Sequence, residues 1–272
     1  MIGERNLQRW ALVAALLAAV VWLFPYAWML LTSFKTTKEL VKAPTSLPGS
    51  LDFSAYAEVF RSIPVARYLG MTTLMALSIA ALQIAIALPA AYALAKLQFR
   101  SRGLAFGFLL SALLIPAELR FVPTFTLFSA VGLVNTLPAL VLPFAVSAFG
   151  IFLLRQALLS VPDSLIEAAR LDGASELQIV YRLLPPILAP SLAAFFLVSF
   201  VHHWNDYFWP LVMTVDDRVR TLPLGIALLR EQGSGVRWHI VMAGNTLLSL
   251  PALLLFALTQ RHLLRGLGSN VG

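Results

Sequence analysis

The sequence predicts an all-α integral membrane protein that crosses the bilayer six times. Hydrophobic residues make up 59% of the 272 positions and charged residues only 12%, whereas charged residues account for about a quarter of an ordinary soluble domain. A helix needs about 20 apolar residues to cross the hydrocarbon core, and such runs recur along the chain. The predicted spans are Trp10–Leu31, Tyr68–Ala95, Leu104–Ala117 with some extension, Leu137–Leu154, Ile187–Trp209 and Val241–Leu258.

The third and fourth of these spans carry interruptions. Glu118 and Arg120 follow a short third run, and we expect them to pair with each other or with a neighbouring subunit. Residues 121–134 form either part of a crossing or a re-entrant segment at the membrane edge. In the fourth span, Pro138 and Pro143 are candidates for a kink, because proline removes a helical hydrogen bond.

Charge and cysteine content further limit the kind of protein and the sites that it can contain. Arg5 and Arg9 precede an apolar run of about 22 residues, which exceeds the ~7–15 residues of a secretory signal core, so we expect a retained first span. Basic residues are divided evenly between the two sides, and the Arg100/Arg102 and Arg261/Arg265 clusters favour cytoplasmic termini. With no cysteine there is no disulfide or thiolate metal site. A formal net charge of +7 without a soluble domain indicates contact with membrane lipid and no nucleic acid partner.

A polar interval from Arg155 to Pro186 is typical of two short helices joined at a glycine. Pro162 suits the first turn of a helix, and Gly173 suits the residue just past its end. Ser175 with Gln178 three residues later forms a capping-box pair for the second helix. Small residues at Ala168 and Ala169 keep one helix face thin, flanked by the charges of Glu167 and Asp172. This pattern predicts a docking element for another protein.

The interval resembles the coupling loop of ABC importer permeases of the carbohydrate-uptake type. That loop has the pattern EAA, three residues, Gly, nine residues, an apolar residue, one further residue and then Leu-Pro. Here Glu167, Ala168, Ala169 and Gly173 match, and the final Pro is Pro186, although Pro185 stands in the place of Leu. The resemblance extends over nearly the whole chain in the segments 32–35, 147–156, 204–206, 209–211 and 221–225.

The resemblance implies one permease domain over residues 1–272, placed in a bacterial or archaeal inner membrane with both termini cytoplasmic. The coupling loop, about residues 155–186, would be cytoplasmic and would contact an ATPase through Glu167, Ala168, Ala169, Asp172, Gly173 and Pro186. Outer loops, about residues 33–66 and 212–238, would face an extracytoplasmic solute-binding protein. Further implied partners are a second permease subunit and two ATP-binding subunits. Oligosaccharides, monosaccharides and glycerol 3-phosphate all remain open as substrates.

The chain has no phosphate-binding G-x-x-x-x-G-K-[ST] loop, so we expect it to bind no cofactor and catalyse no reaction, with ATP and Mg held by the partner ATPase. Two alternatives remain. His202 and Asp206, four residues apart on one helix face, could relay protons in a secondary transporter. They are too few to predict a metal site. The other alternative is an assembly scaffold without a pathway of its own.

Candidate pathway residues combine aromatic faces with hydrogen-bonding groups, as sugar recognition requires. Those near the end of the fifth span are Trp204, Asn205 and Tyr207, and Gln83 and Asn245 could add polar lining. The competing interpretation is structural, because Trp and Tyr collect at membrane interfaces and polar side chains join helices within membranes. Ser147, Ala148 and Gly150 fit such close packing between helices.

Overall fold

A computed structural model describes residues 2–231 and 237–268, with side chains throughout except at 2–5, 7, 117, 118, 231 and 261–268. The side chains of Arg5, Glu118, Arg261 and Arg265 and the middle of the second outer loop therefore lie outside the described residues. No β-strand occurs in these two ranges. The chain divides into two compact units, here called the peripheral unit, up to Ala66 and over Leu222–Leu250, and the central unit, Arg67–Thr221 and from Pro251 onward.

Six of the described α-helices lie wholly or partly in the peripheral unit. They are α1 (Ile2–Ser33), α2 (Thr37–Lys42), α3 (Ser54–Ser62), α4 (Val65–Lys96), α14 (Leu222–Glu231) and α15 (Trp238–Gly268). The first helix that lies wholly in the central unit is α5 (Arg102–Ser111). The remaining helices of the central unit are α6 (Ala117–Ala130), α7 (Leu137–Val141), α8 (Ala148–Leu159), α9 (Asp163–Leu171), α10 (Glu176–Gln178), α11 (Leu184–Ile187), α12 (Ala189–Trp204) and α13 (Phe208–Met213).

Within the described ranges, three helices are long and apolar enough to cross a membrane as single pieces. These stretches, Gln8–Ser33, Val65–Lys96 and Trp238–Gln260, coincide with the predicted first, second and sixth spans. The third and fourth predicted spans are pairs of helices bent at a short break, by 97° and 47°. The helix of the fifth predicted span, Ala189–Trp204, follows an 87° bend from the preceding segment Glu176–Ile187. A total of up to six crossings is reached when each bent pair counts as one.

The predicted interruptions of the third and fourth spans are present, and the fifth span is shorter than predicted. The third stops after a 3₁₀ turn at Leu114 and resumes at Ala117. The fourth breaks behind Pro143, which lies in a 3₁₀ turn, whereas Pro138 sits in the first turn of α7, where proline is tolerated. The fifth ends at Trp204 rather than at residue 209, and a turn separates it from α13.

The fourth-span break is held by polar groups. Gln83 of α4 donates its amide to the carbonyl oxygen of Phe144 at 2.8 Å, and Ser147 accepts the Gly150 amide at 3.0 Å as the cap of α8. Backbone groups at membrane depth must find such partners, since lipid supplies none. Gly150 then lets α8 approach α12 closely, because a Cβ at this position would lie 2.1 Å from Cζ of Phe195. The prediction of close packing at Gly150 is confirmed.

The first outer segment contains two helices, α2 and α3. Asp52 accepts the Ser54 amide at 2.8 Å directly before α3, whose N-cap residue is Phe53. Lys35 is unexpectedly buried, with 1% of its surface exposed. Its ammonium donates to the Pro44 carbonyl at 2.8 Å and lies 4.9 Å from the Trp28 ring centroid. The second outer segment is likewise more ordered than predicted, because α14 buries Leu222, Leu224 and other apolar side chains.

Candidate functional site

The helix–glycine–helix element is formed by local hydrogen bonds. Helix α9 begins one residue later than predicted, with Pro162 as its N-cap, and its end has the Schellman pattern. The amide of Gly173 donates to the Arg170 carbonyl at 3.0 Å, and the amide of Ala174 donates to the Ala169 carbonyl at 3.0 Å. This pattern needs a left-handed residue, and Gly173 has a φ of 83°. The predicted break at this glycine is confirmed.

The second helix of the element starts as predicted. Ser175 and Gln178 form a complete capping box, in which the Ser175 amide donates to Oε1 of Gln178 at 2.8 Å. The next residues, Ile179–Leu183, form a π-helix. Pro185 and Pro186 lack amide hydrogens, so the normal hydrogen bonds of the preceding turn cannot form. The polar interval itself begins later than predicted, because Arg155 still belongs to α8.

The two faces of α9 differ in character. Ile166 is buried and Ala169 packs against the core of the central unit. The opposite face is exposed, and we call it the docking face: Ser164, Glu167, Ala168 and Leu171. Leu171 exposes 89% of its surface. Asp172 and Gly173 are exposed at the turn that follows, as is Pro186 farther along. An apolar side chain this exposed outside the membrane is typical of a contact with another protein.

The buried side of the element is fastened to α4 by charged groups. Lys96 donates to Oδ1 of Asp163 and to the Val161 carbonyl, both at 2.6 Å. This contact is the main reason why the pKa of the Asp163 carboxyl is lowered. The hydroxyl of Tyr92 donates to Glu176 at 2.5 Å, and Arg170 donates to Glu176 at 2.8 Å.

A third basic residue, Arg155, connects the C-terminal end of α4 to α8. Arg155 donates from Nε to the Leu94 carbonyl at 3.1 Å, and its guanidinium lies 4.0 Å from the Phe106 ring centroid. Because the last carbonyls of a helix carry partial negative charge, a cation there is favourable. Together these contacts attach the loop to a long transmembrane helix, so a push on α9 can be transmitted to α4.

Two cavities lie in the central unit near the end of the fifth span. The first, the distal cavity of about 700 Å³, is lined by Arg120, Phe121, Thr124, Pro143, Phe144, Val201, His202, Asn205, Asp206, Tyr207, Phe208 and Trp209. The second, the central cavity of about 740 Å³, lies beside residues 195–203 of α12. Both have a mixed aromatic and polar lining of the kind used for small-molecule sites.

The predicted pathway residues are only partly brought together. Asn205 and Tyr207 line the distal cavity, and Gln83 lines the central cavity. Trp204 is fully buried and stacks on Phe200 with ring centroids 5.2 Å apart, so its ring is not presented to either cavity. Asn245 belongs to the peripheral unit, where its carbonyl accepts the Ser249 hydroxyl at 2.8 Å.

Gln83 also has a structural role that the sequence did not reveal. Besides bonding to the Phe144 carbonyl, it accepts the Ser199 hydroxyl at 2.8 Å and lies 3.4 Å from Nε2 of His203. His202 and Asp206 both line the distal cavity. The prediction that they share a helix face is wrong, because α12 ends at Trp204 and Asp206 lies in the turn that follows. Among the described residues no group of His, Cys, Asp and Glu could hold a metal ion.

Comparison with known proteins decides the family. The family of binding-protein-dependent transport system inner membrane components matches residues 16–269. The chain belongs to this family. It is therefore a multi-pass membrane component of a transport system, and the resemblance to carbohydrate-uptake permeases is confirmed.

The names of several relatives specify the solute of their transport system. A permease protein of a sn-glycerol-3-phosphate transport system, UgpE of Pectobacterium atrosepticum, is 32% identical over 97% of both chains. AraQ of Halalkalibacterium halodurans, from an arabinooligosaccharide system, is 32% identical over 92% of this chain and 90% of its own length. LacG of Rhizobium radiobacter, from a lactose system, is 31% identical over 94% and 93%.

Solved structures support the same fold. A chain of a bacterial ABC transporter involved in the import of the acidic polysaccharide alginate superposes with a TM-score of 0.81, at 23% identity, over 95% of this chain and 97% of the other. In another alginate ABC transporter structure, in complex with an alginate-bound periplasmic protein, the TM-score is 0.56 at 18% identity, over 94% of each chain. The transport component thus has an ABC importer permease fold.

Proposed function

We propose that this chain forms half of the translocation pathway of an ATP-driven importer for a sugar or a related polyol phosphate. Its partners in this proposal are a second, different permease subunit, two cytoplasmic ATPases that hold ATP and Mg, and an extracytoplasmic solute-binding protein. Both termini are cytoplasmic. The solute class follows from the relatives, whose names specify glycerol 3-phosphate, arabinooligosaccharides and lactose.

The observation that carries the proposal is the contrast between the two sides of α9. The docking face presents Glu167, Ala168 and the exposed Leu171 to an ATPase groove. The reverse side is tied to α4 through Lys96 and Asp163. In this proposal, closure of the ATPases on ATP pushes the element as a rigid body. The attached spans then rotate, and the pathway changes from inward-facing to outward-facing.

The pathway itself is proposed to pass the distal and central cavities. Asn205 and Tyr207 supply hydrogen-bonding groups to the distal cavity, while Phe121 and Phe144 supply flat apolar faces. This combination suits a solute with a carbon skeleton and several hydroxyl groups. Cross-linking of a solute to a photoreactive residue at position 205 would distinguish a pathway from a scaffold, for which we expect no solute adduct.

The source of energy tests the proposal most directly. The intact complex, purified with its partners and reconstituted into liposomes with the binding protein outside, is assayed with labelled glycerol 3-phosphate and labelled lactose. Uptake should require ATP inside and should persist when an uncoupler removes the proton gradient. Uptake that follows an imposed proton gradient without ATP would overturn the proposal in favour of a proton-driven transporter using His202 and Asp206.

A further inference from the structure

Arg120 stands at an unusual place in the central unit. It lies in the first turn of α6, which begins behind the break in the third predicted span. Its carbonyl accepts the Thr124 hydroxyl at 2.7 Å. Its guanidinium makes no hydrogen bond or ion pair with any side chain that the structure describes. Its side chain is exposed. Glu118, two residues earlier in the same turn, is its expected partner within the chain, and the side chain of Glu118 lies outside the described residues.

Arg120 also belongs to the wall between the two cavities. Four residues line both of them, namely Arg120, Pro143, Phe144 and His202. The wall therefore contains one permanent cation and no carboxylate. A solute in either cavity can therefore meet this guanidinium.

The distal and the central cavity differ in the charged side chains that line them. The distal cavity contains Asp206, whose Oδ1 accepts the Trp209 amide at 3.2 Å. The central cavity has no carboxylate among its described lining residues, while Gln83, Ser147 and Ser199 supply neutral polar groups. His203 lines it too, 4% exposed and with Nδ1 lacking a hydrogen-bond partner. Arg120 is therefore the one permanently charged side chain among the described residues that line the central cavity.

We propose that Arg120 is a specificity-determining residue and that the transported solute carries a phosphate or carboxylate group, which the guanidinium binds as the solute passes between the cavities. This inference rests on the proposed function and narrows its solute class to anionic sugars or polyols. The planar guanidinium can pair with both oxygens of such a group. Aromatic rings at Phe121 and Phe144 then face the carbon skeleton.

The absence of cysteine from the chain makes a direct test possible. Thr124→Cys places a single thiol in the distal cavity, one turn from Arg120. The complete transporter is reconstituted, and the thiol is modified with a negatively charged and a positively charged methanethiosulfonate reagent. We expect Arg120→Gln to lower the ratio of the negative to the positive reagent's rate about tenfold, since a charged hydrogen bond contributes about that factor. Arg120→Lys should keep most of the ratio, and Arg218→Gln, on the exposed outer segment, should leave it unchanged.

Protection of the same thiol identifies the ligand. Glycerol 3-phosphate and glucuronate should slow modification, glycerol and lactose should not, and Arg120→Gln should abolish the difference. Equal protection by neutral and anionic solutes would overturn the inference. So would protection that depends on phosphatidylglycerol in the liposomes and not on solute, which would assign Arg120 to a lipid headgroup. ATP-dependent lactose uptake that is unaffected by Arg120→Gln would refute this inference while leaving the proposed importer intact.

Discussion

The hydroxyl of Tyr92, on the long helix α4, donates a 2.5 Å hydrogen bond to Oε2 of Glu176, 84 residues later in the chain. Arg170 completes a three-membered cluster, because its Nη2 lies 3.1 Å from the same hydroxyl. The cluster joins both helices of the coupling element to one transmembrane helix. It also gives Arg170, beside the matched EAA residues, a partner within the chain.

Tyr92→Phe should therefore weaken the mechanical link without changing the packing of the ring. Losing one hydrogen bond to a charged group costs about 1.5 kcal/mol, or about tenfold in a coupling equilibrium. We expect transport per ATP hydrolysed to fall by about this factor in proteoliposomes. Tyr26→Phe, on the exposed surface of α1, is the control, and an equal effect of both variants would contradict a specific role for Tyr92.

Gly173→Val should uncouple hydrolysis from transport. A non-glycine residue in the left-handed region costs about 1–2 kcal/mol, and a β-branched one costs more. No neighbouring atom lies within 4 Å of a Cβ built at position 173, so the effect comes from the backbone. Gly132→Val is a matched control, because Gly132 has a φ of 70° and similarly open surroundings. Both variants should lose similar stability, and only Gly173→Val should lose uptake.

Leu171→Ser should separate docking from folding. Because Leu171 exposes 89% of its surface, we expect the thermal stability of the chain to be unchanged. Co-purification of the ATPase should weaken by at least about tenfold if Leu171 is a central contact of the interface. Val41→Ser, at a residue that is 80% exposed on the outer segment, should keep the ATPase. Full retention of the ATPase by Leu171→Ser would argue against the docking face.

Gly150→Ala should destabilise the central unit. The added methyl group would meet the Phe195 ring at 2.1 Å, and overpacking of this kind costs about 1–3 kcal/mol. Combination with Phe195→Leu should restore part of the loss, because the smaller side chain makes room. Gly70→Ala is the control, since nothing lies within 4 Å of its Cβ. Thermal unfolding in detergent measures all three.

Asp216 should give the outer segment an acid-dependent stability. The Asn135 side chain, followed by contacts from Arg218, lowers the pKa of Asp216 from 3.8 to about 2. The ionised carboxylate is favoured in the folded state, so its stabilisation is complete above pH 3.8 and is lost as the pH falls through 2. The difference in melting temperature between wild type and Asp216→Asn should be constant from pH 6 to 4 and disappear near pH 2. Glycine tolerates the positive φ of 63° at position 135. Asn135→Gly should therefore raise the pKa of Asp216, so that its stabilisation is lost at a higher pH.

Sequence alone predicts those features whose partners are close in the chain. Two such features are the end of α9 at Gly173 and the capping box of Ser175. Each depends on residues no more than five positions apart, so the local sequence pattern predicts it. The contact of Tyr92 with Glu176 and the buried ammonium of Lys35 depend on the folded arrangement. The position of Tyr92 near the end of a span gave little indication of its contact with Glu176, because Tyr is common at membrane interfaces.

The geometry of the broken spans was predictable only in part. Hydropathy measures apolar length and is insensitive to a change of direction. The charges after the third run and the prolines of the fourth therefore indicated an interruption, but the bend angles of 97° and 47° were not predictable. Likewise Trp204 was expected at the pathway because aromatic residues recognise sugars, yet it is buried on Phe200. The polar residues of the cavity wall were noticed singly, and only the fold placed Arg120 beside His202.

The first helix has a consequence for how the protein is made. In the stretch Gln8–Ser33, none of the most apolar 18-residue window is buried. Such a segment can partition from the translocation machinery into lipid on its own hydropathy, before any other span has been synthesised. The sequence of α1 then needs a sufficient number of apolar residues, whereas their exact order matters less because those in this window are not buried against the rest of the chain. Shuffling the order of its apolar residues should leave biogenesis intact, whereas the same operation on α12 would remove the partner surface of Gly150.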